Sequence, residues 1–130
     1  MRVFLSIVAV LMVLLGSGWL LFPEAMFASW NVQSDAAGIY VGRRYGSLLF
    51  GYAAILWLAR TAGPSSARAA ILGGGALVTA LVTFVSLLGV LTRTIGPGAW
   101  AAVVIEAVLA AGFVYYFMAQ RKQAQAEASS

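Results

Sequence analysis

The sequence predicts an all-α, four-helix transmembrane bundle with both termini cytoplasmic and a short interfacial helix in the first external loop. Three observations carry this. Of 130 residues, 62% are hydrophobic and only 9% are charged, against about 25% charged in soluble globular domains. Four apolar stretches, at about 3–22, 36–59, 69–91 and 99–119, each approach the roughly 20 residues a helix needs to cross hydrocarbon. The runs are unbroken rather than alternating in polarity, which argues against a membrane barrel and leaves helices to satisfy their own amides in lipid. Residues 1–119 are thus expected to form the membrane domain and 120–130 a polar cytoplasmic tail.

The elements follow in order. Arg2 precedes the first span, whose apolar stretch exceeds the core of a secretion signal (about 7–15 residues) and is not followed by a cleavage site and soluble domain, so it reads as a retained helix. Pro23 ends it and opens a short helix to Trp30, with Phe27 and Trp30 expected at headgroup level. Ser34 and Asp35 are N-caps for the second span. Gly63-Pro64 stops that span, and Ser65 or Ser66 caps the third. The Thr92–Gly98 segment, with Pro97 between two glycines, turns the chain into the fourth span.

The basic residues set the orientation. With a cytoplasmic N-terminus, that side holds Arg2, Arg60, Arg68, Arg121 and Lys122, while the other holds Arg93, plus Arg43 and Arg44 inside the second span. The positive-inside rule favours this arrangement in the inner (plasma) membrane, crossed several times. The net charge of +4 is scattered rather than concentrated on one face, so nucleic acid is not an expected partner. With no Cys and no His, thiolate chemistry, His-ligated haem and His-based metal sites are excluded, and no cofactor or metal is expected.

One polar layer stands out. Counted from the cytoplasmic end of each span, Arg43 lies roughly 25 Å above Arg60 and Glu106 roughly 22 Å above Arg121, heights at which they can meet. Ser17, Thr83 and Ser86 fall at the same level. A charged side chain this deep costs about 3 kcal/mol at the centre of a span, less nearer the interface, and normally turns inward to a partner. A guanidinium holds a carboxylate by two parallel hydrogen bonds. Arg43 is therefore expected to pair with Glu106, and Arg44 to snorkel to outer headgroups. The candidate ligand-binding residues are Arg43, Arg44, Glu106, Thr83, Ser86 and Ser17. Two readings of the pair stand side by side: it fixes helix register, or it holds a ligand. The hydroxyls of Thr79, Thr83 and Ser86 can equally bond back to carbonyls of their own helix.

In the second span Gly38, Gly42 and Gly46 form a smooth packing strip with overlapping GxxxG spacings, which leaves room for homo-oligomerisation. Tyr45 and Tyr52 read as packing residues.

The segment Tyr40-Val-Gly-Arg-Arg-Tyr-Gly-Ser-Leu-Leu-Phe-Gly-Tyr, with the Ile95-Gly-Pro-Gly turn and Glu106 in the last span, resembles small bacterial four-helix membrane proteins of the broad DoxX-like type. Some of these associate with membrane redox complexes, so the resemblance implies an accessory subunit of a larger membrane complex or a binder of quinone-like or lipid molecules. The leading expectation is a non-enzymatic accessory or structural protein, or a binder of a hydrophobic ligand whose polar head meets the Arg/Glu layer. The alternative is a small transporter or channel using Glu106 as a proton or cation site. A lipid-acting enzyme would need a second acid beside Glu106, which only Asp35 or Glu24 in the external loop could supply.

Overall fold

The chain's punctuation fixes where its helices begin and end. The computed structural model describes residues 1–128, with side chains through 123. Helix α1 spans Arg2–Leu21, α2 Pro23–Ser29, α3 Ala36–Ala59 and α4 Ser66–Leu91, and a 3₁₀ turn at Pro97–Ala99 leads into α5, Trp100–Ala128. The described residues contain no strand. Asp35 Oδ1 accepts the Gly38 N–H at 2.8 Å and Ser65 Oγ accepts the Arg68 N–H at 3.2 Å, so each cap satisfies an amide that its helix leaves free. Pro23 takes the first position of α2, where its missing N–H costs nothing. Helices α2 and α4 end alike, on a left-handed residue at Asn31 (φ 55°) and Arg93 (φ 59°). Val32 N–H then donates to Phe27 O at 3.0 Å and Thr94 N–H to Gly89 O at 2.9 Å, the bonds that close a Schellman ending.

The last helix does not stop at 119. It runs on through the expected tail to Ala128, while Ser129 and Ser130 of that tail lie outside the described residues. Gln120, expected as the first tail residue, is only 6% exposed. Its Nε2 donates to Ser65 O and its Oε1 accepts from Arg68 Nε, both at 2.7 Å, and Arg68 also donates to Ala62 O at 2.9 Å. This clasp ties α5 to the turn between α3 and α4.

Two close helix pairs, α1 with α3 and α4 with α5, meet more loosely, and α3 touches α4 only sparsely. At the first crossing a Cβ on Gly46 would stand 2.8 Å from both Gly16 O and Leu20 N, so the backbones approach as only glycine permits. The end that holds both termini is solid: Leu5, Val8, Leu56, Leu72, Leu109 and Phe113 form its core, with Phe4 edge-on to Phe113 at 5.1 Å. The opposite end is covered by α2. There Phe27 and Trp30 turn inward onto Trp19, with ring centroids 5.0 and 5.4 Å away. Edge-to-face packing on a buried indole recovers more apolar contact than the interface offers. Gly96 N–H donates to Trp30 O at 2.6 Å and fastens the cover to the turn before α5.

Among the described residues three helical segments, Arg2–Leu21, Ser66–Leu91 and Pro97–Gln123, are long and apolar enough to cross a membrane. Helix α3 is as long, at 24 residues, but Arg43 and Arg44 in its first half make it less apolar. The chain is a helical membrane protein.

Candidate functional site

The half of the molecule beneath α2 is hollow. Three hollows, of about 430, 310 and 350 Å³, all have Tyr45 and Glu106 in their walls. At 100° per residue the contributing faces are easily traced. Helix α1 presents Met12, Leu15 and Trp19; α3 presents Tyr45, Leu49 and Tyr52; α4 presents Val78, Thr79, Val82 and Ser86; α5 presents Ile105, Glu106 and Leu109. Toward the cover the wall is aromatic. Trp19 touches Phe27, Trp30 and Tyr45, the last at 5.6 Å between centroids, and Phe27, Trp30 and Tyr45 share the 430 Å³ hollow with Glu106 and Ser86.

Two polar atoms in these walls lack partners. Glu106 Oε2 and Tyr52 Oη are both buried without a hydrogen bond, and both residues line the 310 Å³ hollow. A buried polar group left unpaired costs about 1–3 kcal/mol, so such atoms are rare. Among the described residues no Arg or Lys contributes to any of the three walls. Among the described residues no group of three His, Cys, Asp or Glu side chains is placed to hold a metal ion.

The expected Arg43–Glu106 pair does not form. Arg43 is exposed, and Glu106 Oε2 is without a partner. The glycine strip explains why: Gly42 and Gly46 face α1, and the strip has two flanks. Tyr45 and Tyr52 occupy the flank turned inward, while Arg43 and Ser47, about 100° the other way from Gly42 and Gly46, point out. Arg44 is exposed beside the Tyr40 ring, 5.9 Å from its centroid. Ser17 lies off the interior flank of α1 and donates to Val13 O at 2.8 Å; Thr83 donates to Thr79 O at 2.7 Å; neither lines a hollow. Ser86 does line one, beside Glu106. Of the six candidate ligand residues the structure therefore brings Glu106 and Ser86 together and leaves the other four apart.

Gly42 and Gly46 pack against Trp19 and the α1 backbone, and Gly38 lies beside Phe27 and the Asp35 cap, so the strip is filled within the chain itself. Asp35 caps α3 and Glu24 is exposed on α2; neither lines a wall with Glu106. The residues that sequence reasoning assigned to packing, Tyr45 and Tyr52, are wall residues, as are Trp19 and Trp30. Their signal was periodicity: Tyr45, Tyr52 and the inward face of α3 recur at seven residues.

Fold and site together define a class: a helical membrane protein in which, among the described residues, three partly open hollows share the carboxyl group of Glu106. Comparisons with protein-family models, curated proteins and solved structures find no match.

Proposed function

We propose that this is a four-span protein of the inner membrane, with both termini cytoplasmic, that binds a hydrophobic ligand through a polar head at Glu106 and serves as an accessory subunit of the DoxX-like kind. The observation that carries the reading is the pair of unpartnered atoms, Glu106 Oε2 and Tyr52 Oη, in one apolar hollow. Such hollows have the size and lining of ligand sites, with few polar groups amid apolar walls. Four spans are supported by the outward side of α3, where Ile55 and Leu58 are exposed as they would be to lipid. The orientation rests on the excess of basic residues at the end that holds both termini.

The test is saturable binding of a neutral hydrophobic probe, N-phenyl-1-naphthylamine, to protein in nanodiscs, read by energy transfer from tryptophan over empty nanodiscs. Val82 lines two of the hollows, so Val82→Trp fills the space and abolishes the saturable signal. A signal unchanged by Val82→Trp overturns the cavity reading. A second reading, a small transporter using Glu106 as a proton or cation site, is favoured by that same free carboxyl oxygen in a hollow that reaches the α2 cover. It requires pH-dependent flux in liposomes that Glu106→Gln removes.

A further inference from the structure

We infer that the polar head bound at Glu106 is a cation: the site takes a lipophilic organic cation, an amine or onium centre carried on an apolar body. This rests on the cavity reading above and adds the ligand's charge.

The walls decide the sign. Among the described residues Glu106 is the only charged side chain lining the three hollows, and its Oε2 has no hydrogen-bond partner. An anion would find no basic residue there. A cation finds the carboxylate and, in the wall of the same hollow, the rings of Trp19, Phe27, Trp30 and Tyr45, the last three packed edge-to-face on Trp19 at centroid distances of 5.0 to 5.6 Å. Aromatic faces attract cations through their quadrupoles, most strongly where water is excluded. The walls also decide the kind of cation. An inorganic divalent ion wants about six to eight oxygen ligands, whereas the side chains of these walls offer one carboxylate with the hydroxyls of Ser29, Thr79, Ser86 and two tyrosines, and those of Thr79 and Ser29 already bond to Gly75 O and Met26 O, both at 2.7 Å. An organic cation brings its own apolar surface to fill the remaining volume.

The way in agrees. Between the sparsely touching α3 and α4, the 430 Å³ hollow is bordered by Val41, Leu81 and Val85, which are 61%, 55% and 67% exposed. A side opening lined by valine and leucine admits a molecule already dissolved in hydrocarbon and turns away a hydrated ion.

The experiment uses the full chain in zwitterionic nanodiscs and two probes of nearly equal shape and opposite charge, tetraphenylphosphonium and tetraphenylborate, with binding read by calorimetry against empty nanodiscs. Tetraphenylphosphonium is expected to bind saturably at one per chain and tetraphenylborate not to. Glu106→Gln weakens the cation by about tenfold or more. Trp30→Leu, which leaves the carboxylate in place, weakens it by about threefold to tenfold. Should Glu106→Gln fail to fold, Trp30→Leu and the charge-reversed probe still decide. Equal binding of the two probes, or cation binding indifferent to both substitutions, overturns the inference. If N-phenyl-1-naphthylamine binds saturably and tetraphenylphosphonium does not, the cavity reading stands and the charge assignment falls. If neither binds, both fall.

Discussion

Replacing Glu106 with methionine, which is unbranched and similar in reach, is expected to stabilise the unliganded protein. Glu106 Oε2 is buried without a hydrogen bond, among Leu15, Tyr45, Val82 and Ile105. Removing one such atom returns about 1–3 kcal/mol, and the lower part of that range applies because the residue as a whole is only partly buried. Ser86 loses a neighbour, but its hydroxyl can bond back to its own helix, so the offset is small. The assay is unfolding by sodium dodecyl sulfate in mixed micelles, followed by far-ultraviolet circular dichroism. The opposite result has a definite meaning. Were Glu106 half of a buried ion pair with Arg43, its removal would strand a charge and cost about 3–5 kcal/mol. A loss of that size refutes the placement described above, as would a coupling to Arg43→Met well beyond the roughly 0.5 kcal/mol scatter of independent sites in a double-mutant cycle.

Two further outcomes test the framework around the cavity. Gly46→Ala puts a Cβ 2.8 Å from backbone atoms of α1, which cannot rotate away, so overpacking is expected to cost about 1–3 kcal/mol in the same assay; Gly51→Ala, whose Cβ meets nothing within 4 Å, should be neutral or gain up to about 1 kcal/mol of helix propensity. Gln120→Leu leaves Arg68 Nε without its acceptor at the far end and is expected to lose about 1–3 kcal/mol with ligand probes binding as before, since Gln120 lines none of the hollows.

Much of this fold is legible in composition and punctuation. Long apolar runs, Asp35 and Ser65 as caps and Pro23 as a helix opener place the helices to within a few residues, because those signals act locally on the backbone. The common level of Glu106 and Ser86 is legible too, since rise per residue converts a count into a height along each helix. What the count cannot supply is azimuth. Arg43 and Tyr45 sit on opposite flanks of one glycine strip, and choosing between the flanks requires knowing on which side of α1 the other helix pair lies. That is a property of the assembled molecule: height and a place beside the strip single out Arg43 over Arg44 in the sequence, but neither shows that the interior lies on the tyrosine flank. Gln120 fails for a related reason: polar in a polar tail, it shows no sign of burial until α4 supplies Arg68 and Ser65 as partners. Phe27 and Trp30 have the composition of an interfacial belt, and only the fold-back of α2 sends them inside.

The bond from Gly96 N–H to Trp30 O joins main chain to main chain, so no side-chain deletion can untie it. What can be altered is its spacing. A Cβ at Gly96 would come within 2.7 Å of Asn31 Cβ, and one at Gly98 would collide with Ser29 O. Any larger residue at either position must lift α2 like a shim beneath a hatch. Because Ser29, Trp30 and Gly98 all border the 350 Å³ hollow, this turn sets the headroom above Glu106 without contributing a single functional group to it.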